Sequence, residues 1–208
     1  METSPTSRRA VRLAGTRPGR GRSGRFGFTL IELLVVMGII SLLIGLTMPA
    51  LGWARRSSRR AACLSNLHQI AIGMTVYMGD NKGILPYVMP LGKMEEDDSL
   101  LAALKKYITD FEVFVCPSDD TGVAEELGSS YDYYPGWIMW ARELFRGENP
   151  KTVARSTTKF YELEPGRWPV MADAEGWHKP LDELGQNASY WDGSVAPLIN
   201  WSDPKWKK

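Results

Sequence analysis

Residues 28–53 read FTLIELLVVMGIISLLIGLTMPALGW, an apolar run with a single charged side chain, Glu32. A helix rises about 1.5 Å per residue, so about twenty apolar residues reach across the ~30 Å hydrocarbon core of a bilayer. A helix on the outside of a small soluble core needs a polar face, and this run has none. The stretch predicts a membrane-spanning helix. It divides the chain into a head before it and a body after it.

Head and body carry opposite charge. Residues 1–27 hold seven arginines (Arg8, Arg9, Arg12, Arg17, Arg20, Arg22, Arg25) against one acid, Glu2, a net +6. The remaining 181 residues hold 18 basic and 23 acidic side chains, a net −5. The head is rich in Gly, Ser, Thr and Pro and poor in large apolar residues, so it cannot bury enough surface to fold alone. An arginine-rich arm can bind nucleic acid, but a basic flank to a membrane segment explains the charge better, and no nucleic-acid partner is expected. Four arginines follow the apolar run, at 55, 56, 59 and 60, fewer than precede it. The excess puts the N-terminus in the cytoplasm and residues 54–208 outside it.

The residues leave three fates open for the segment. It is a cleaved secretory signal with a small-x-small site at Gly52-Trp53-Ala54, an uncleaved anchor, or a specially processed helix. The run is long for a secretory signal, and Glu32 fits poorly inside one. No cysteine follows the run closely enough for a lipoprotein; Cys63 lies beyond the arginines.

Arg25-Phe26-Gly27-Phe28-Thr29-Leu30-Ile31-Glu32 resembles the cleavage and methylation site of type IV prepilins and type II secretion pseudopilins. The likeness spans roughly residues 25–83. It implies that a prepilin peptidase cuts between Gly27 and Phe28 and methylates the new Phe28 amine. It also implies that Glu32 is the family's acidic fifth residue and that Pro49 is its helix-kinking proline. Physics is consistent with this: a charge near the start of a membrane helix costs about 2–3 kcal/mol or more, so it needs a partner or a function. In a filament Glu32 pairs with the amine of a neighbouring subunit; otherwise it reaches up to the headgroups.

Beyond the membrane, Cys63, Leu67, Ile70, Met74 and Tyr77 recur at helical spacing and predict a continuing helix with one buried stripe, to about Gly79. Asp80-Asn81-Lys82-Gly83 is a stop signal. Ser99 caps a short helix carrying Leu100, Leu101, Leu104 and Ile108. Residues 111–115 read as a strand, 129–140 as a further extended segment, and 168–173 as a buried strand. Residues 141–167 are ambiguous. Tyr190 to Val195 is a hairpin with an Asp-Gly turn.

Within the pilin-like group, Asn66-Leu67-His68-Gln69-Ile70, Cys116-Pro117-Ser118-Asp119 and Asp192-Gly193-Ser194-Val195 resemble proteins with a terminal Asp-Gly hairpin. Many of those carry a histidine shortly before the hairpin. Here Leu184-Gly185-Gln186-Asn187 occupies that region, His178 is out of place, and no histidine role is carried over.

Cys63 and Cys116 are the only cysteines. In an oxidising compartment they suggest one disulfide; two separate buried thiols are the alternative. The acids Glu95-Glu96-Asp97-Asp98 sit at a helix start, where the dipole favours them. Some pseudopilins bind calcium in a loop, and hard cations such as calcium want carboxylate oxygens, but no metal site or cofactor is expected there. Asp119-Asp120 and Asp173/Glu175/His178 make no stronger case. With two histidines and no zinc spacing, phosphate loop or catalytic order, no enzyme is expected. Trp53 suits a membrane interface; most of the other seven tryptophans are expected in the core.

The expected fold is α+β and pilin-like. It has a leader (1–27), a membrane helix (28–53), its extracytoplasmic continuation (54–83), and a small antiparallel-sheet domain (84–208). The expected protein is a single-pass inner-membrane prepilin-like subunit with an extracytoplasmic body. Its partners would be prepilin peptidase, other pilin-like subunits and membrane lipid. A tethered binding module that does not form filaments is the competing class.

Overall fold

The computed structural model of the protein describes residues 27–90, 96–179, 181 and 184–198. The chain divides into two compact units at Gly45/Leu46. One helix, α1 (Leu30–Asp80, 51 residues), contributes to both.

In the first unit every described side chain is exposed. By length and composition α1 is apolar enough to cross a membrane, with a mean hydropathy of 2.5 over its best window. Leu, Ile, Val and Met side chains with no protein neighbour need an apolar solvent, which a bilayer supplies.

The second unit is an α+β domain built on the last part of α1. Cys63, Leu67, Ile70 and Met74 are buried in a stripe, as the spacing predicts. Gly73 completes that face, because a Cβ there would stand 2.5 Å from Ile108 Cγ1. The stop signal works through geometry. Asn81 Nδ2 donates to Tyr77 O at 2.8 Å, Gly83 N–H donates to Met78 O at 2.8 Å, and Lys82 and Gly83 turn left-handed at φ 59° and 72°. The helix α2 (Leu100–Leu104) is capped by Ser99, whose Oγ accepts from Ala102 N–H at 3.0 Å.

Residues 111–115 are not a strand. Phe111–Phe114 is a 3-10 turn, capped by Asp110, which accepts from Glu112 N–H at 3.0 Å. In a 3-10 turn residues three apart eclipse, and the two phenylalanine rings stack with centroids 6.4 Å apart. The extended expectation for 129–140 also fails beyond its first residues. Strand β1 is Tyr131–Tyr133, and the chain then enters α4 (Tyr134–Arg146), with Pro135 in its first turn, where the missing N–H is no loss. The ambiguous 141–167 holds the end of α4 and α5 (Pro150–Leu163), capped by Asn149. A short α3 (Val123–Leu127) lies between the 3-10 turn and β1.

Strands β2 (Pro169–Asp173), β3 (Asn187–Tyr190) and β4 (Val195–Pro197) complete an antiparallel sheet in the order β1-β2-β3-β4. Tyr131 faces Asp173, Ala172 faces Ala188, and Ser189 faces Val195. The β3–β4 turn is the expected Asp-Gly hairpin. Gly193 has φ 79°, and Asp192 Oδ1 accepts from the Ser194 N–H at 3.0 Å and its hydroxyl at 2.6 Å. The core joins the α1 stripe to Leu85, Leu104, Phe114, Tyr131, Tyr133, Met139, Val153, Tyr161 and Met171. Tyr133 and Tyr161 satisfy their buried hydroxyls on Pro86 O and Pro169 O, both at 3.0 Å.

Not all tryptophans are core. Trp137 and Trp140 are 43% and 37% exposed on α4, beside Leu144 and Phe145 at 58% and 79%. Trp168, Trp177 and Trp191 pack partly against the core, while Trp201 and Trp206 lie outside the described residues.

Candidate functional site

The first site is the start of α1. Gly27, Phe28 and Thr29 are exposed and non-helical, and Phe28 is 78% exposed. Among the described residues a Cβ on Gly27 would meet nothing within 4 Å, so their packing does not demand a glycine there. Thr29 N–H and Oγ1 both donate to Glu32 Oε2 at 2.8 Å, and Glu32 N–H donates back to Thr29 Oγ1 at 3.2 Å. This is a capping box. The Thr-x-x-Glu spacing announces it in the sequence, where attention to the charge of Glu32 obscured its local role. Only Oε2 is engaged; among the described residues Oε1 takes no hydrogen bond. Pro49 lies within α1 and donates no hydrogen bond to the carbonyl one turn back.

The second site is buried. Cys63 on α1 is joined to Cys116, after the 3-10 turn, by a disulfide with Cα atoms 5.1 Å apart. The bridge anchors the 110–130 loop to α1. Around it, Asn66 Nδ2 donates to Val115 O at 3.0 Å, and Cys116 N–H donates to Ser130 Oγ at 3.0 Å. The Ser130 hydroxyl in turn donates to Asp119 Oδ2 at 2.7 Å. Asp119 organises the loop: its oxygens accept from the N–H groups of Thr121, Gly122, Val123 and Ala124. Burial alone would raise the Asp119 pKa, but the Ala124 N–H, the Ser130 hydroxyl and the neighbouring donors outweigh it, and the carboxyl titrates below its usual range.

His178, set aside in the sequence together with Asp173 and Glu175, is brought against the disulfide. It is 2% exposed, with Nε2 3.2 Å from Asp173 Oδ2 and 3.7 Å from Cys116 Sγ. Asp173 Oδ2 also accepts from Asn187 N–H at 2.6 Å and Nδ2 at 2.9 Å, and Arg60 Nε donates to Asn187 Oδ1 at 2.9 Å. A polar chain thus runs from α1 through β3 to the end of β2 and the histidine. No spacing rule brings residues 60, 116, 173, 178 and 187 together; the sheet does.

Residues 22–48 match the family described as Prokaryotic N-terminal methylation motif. These residues carry a prepilin-type N-terminal motif. The ComG operon protein 3 homolog of Bacillus licheniformis is 37% identical over 60 residues, 29% of this chain. The match spans 62% of that relative's length. No solved structure matches the chain. The long apolar helix followed by a four-stranded antiparallel sheet is a pilin-like α+β arrangement. Gly27, Phe28 and Glu32 cluster at the helix start, while Pro49 lies further along α1 and Cys63 and Cys116 are joined in the second unit.

Residues 1–26, most of the expected leader, lie outside the described residues, as does Glu95. Glu96, Asp97 and Asp98 are exposed ahead of α2. Among the described residues, Cys63, Cys116 and His178 are the one group of three metal-ligating side chains that converge.

Proposed function

We propose that this chain is a structural subunit of a pilin or type II secretion pseudopilin system, not an enzyme. In this reading prepilin peptidase cuts between Gly27 and Phe28 and methylates the Phe28 amine. The apolar helix holds the mature subunit in the inner membrane, N-terminus on the cytoplasmic side and body outside. Subunits then assemble through that helix. The observation that carries the reading is the methylation-motif match over residues 22–48, set on an exposed, non-helical Gly27–Phe28 junction ahead of an apolar helix.

Glu32 has two tasks here. Oε2 closes the capping box with Thr29, and Oε1 is left for the Phe28 amine of a neighbouring subunit. An amine entering an apolar filament core without a counter-charge is costly. Two substitutions separate the tasks, because glutamine keeps a capping box and loses the charge, whereas valine loses both. Both variants should insert and be cut, since removing a charge eases insertion. Crosslinking in membranes should then show multimer ladders for wild type and none for either variant. Ladders equal to wild type in Glu32→Gln would refute charge pairing. Ladders equal in all three would favour the tethered module, which the exposed Trp137, Trp140, Leu144 and Phe145 of α4 support as a binding face.

A further inference from the structure

In the second unit one stretch of α1 lacks cover from its own domain. Arg60, Arg59 and Arg56 stand three, four and seven residues before Cys63, so they continue the face that is buried from Cys63 to Met74. Arg60 still meets the domain, donating to Asn187 Oδ1 at 2.9 Å. Arg56 and Arg59 lie beyond its reach. Both are exposed, and among the described residues neither has an ion-pair partner. In the proposed orientation they sit just outside the membrane, on the side where basic residues are not favoured.

A surface of opposite character lies elsewhere on the same unit. Between α1 and residues 107–117 runs a groove of two adjoining hollows, 570 Å³ and 260 Å³, which share Gln69, Asp110 and Val113. Ile72, Val76 and Val115 line it and are 52%, 52% and 44% exposed. Asp110 and Glu112 are exposed on it. Asp110 uses Oδ1 to accept the Glu112 N–H, and among the described residues neither carboxylate has an ion pair. Lys106 is drawn to Asp80 instead, at 3.0 Å.

We propose that Arg56 and Arg59 of one copy of this chain dock on the groove of a second copy, Arg56 against Glu112 and Arg59 against Asp110. The contact rests on the reading of the chain as an assembling subunit. Copies held by α1 in one membrane point the same way, so the order of the charges along the axis must match, and it does. Glu112 lines only the hollow that holds Asn66, whereas Asp110 also lines the hollow that reaches Gly73 and Val76. Asn66 follows Arg56 by ten residues and Gln69 follows Arg59 by ten. Both pairs therefore form at one stagger, about 15 Å of helix. Between and after the arginines, Ser57, Ser58, Ala61 and Ala62 are small, which lets the apolar wall of the groove approach the helix.

The two patches are different surfaces of one chain. Each copy gives its arginines to one neighbour and its groove to another, so the contact is heterologous and propagates instead of closing into a dimer. Arginine suits the role, because its planar fork matches a carboxylate. A single exposed pair contributes little; covering the apolar wall excludes water and strengthens the charges. Lipid phosphate is the competing partner for the arginines, but its charge would repel Asp110 and Glu112.

The test uses the full chain in membranes of cells that also express a prepilin peptidase, with multimers trapped by an amine-reactive crosslinker. Arg56→Glu and Glu112→Arg leave the number of amines unchanged. Each alone should lower the multimer ladder by about fivefold or more, since like charges then face each other. The two together should restore it. In Arg56→Lys, which keeps the charge, a carbodiimide should give a covalent dimer whose link maps from position 56 to Glu112. An intact Cys63–Cys116 bridge checks folding. Ladders unchanged in both single variants would overturn the contact. A defect in Arg56→Glu that Glu112→Arg does not rescue would assign the arginines to lipid headgroups and overturn it equally. Should a reversal variant fail to fold, the carbodiimide dimer decides, and absence of the link to Glu112 refutes the pairing. No ladder in wild type would refute assembly itself, whereas a ladder lost in Glu32→Gln but indifferent to these reversals would refute this contact alone.

Discussion

Reducing the Cys63–Cys116 bridge should destabilise the second unit by about 4 kcal/mol. The bridged residues are 53 apart in sequence. For a closed loop of that length the chain-entropy relation gives about 14 cal/mol/K, or about 4 kcal/mol at 25 °C. For a domain of this size each kcal/mol moves the melting temperature by about 2–4 °C, so reduction should lower it by about 8–16 °C. Reduced wild type is the cleaner comparison, because it keeps both sulfurs. Replacing both cysteines with alanine also removes atoms that are 0% and 1% exposed, adding about 1–2 kcal/mol of lost packing. The assay is a thermal melt followed by tryptophan fluorescence, oxidised and reduced side by side. A reduced protein melting within about 2 °C of the oxidised one would refute the loop-closure reasoning.

Other outcomes follow from single contacts. Gly136→Ala should lower stability although alanine is the better helix former. The new Cβ would stand 2.9 Å from Val88 O and 3.0 Å from Pro90 Cα, backbone atoms that cannot swing away. Overpacking of about 1–3 kcal/mol exceeds a propensity gain of at most about 1 kcal/mol, and the denaturant midpoint should fall accordingly. Asp119 holds its loop as a carboxylate, with a folded pKa below the unfolded one. Its contribution is therefore present above about pH 4 and lost as pH falls through the folded pKa. Asp119→Ala should flatten that acid limb in urea midpoints measured from neutral pH downward. Leu67→Ala, at a site 0% exposed, should cost about 3 kcal/mol in the same urea series.

The fold was legible where a signal was local and strong. The apolar run, the Cys63–Met74 stripe, the Ser99 cap, the strand ending at Asp173 and the Asp-Gly hairpin each carry periodicity or turn chemistry that tertiary context does not override. Residues 111–115 misled because their aromatic and β-branched composition suits a strand. What decides their state is an Asp110 cap and an i, i+3 pair of phenylalanines, both of which favour a tight turn. Residues 134–146 misled for a different reason. The apolar side chains of α4 include Trp137, Ile138, Trp140, Leu144 and Phe145, all exposed, so the usual inference from apolar face to core points the wrong way. The motif matched over residues 22–48 was legible in its residues, although the capping partnership of Thr29 and Glu32 was hidden behind the charge. The buried cluster was not legible. His178 was set aside as out of place by its distance in sequence from the hairpin, and only the pairing of β2 with β3 shows that Asp173 and Asn187 bracket it.

The central claim is that this chain is made as a prepilin and matured at one bond. The most direct measurement is the intact mass and N-terminal sequence of the protein recovered from membranes of cells that also express a prepilin peptidase. The account predicts a mature chain beginning at Phe28 with a methylated amine, and an uncut precursor when Gly27 is replaced by a bulky residue. A full-length chain in wild type, or a mature terminus at Leu30 or beyond, would contradict it.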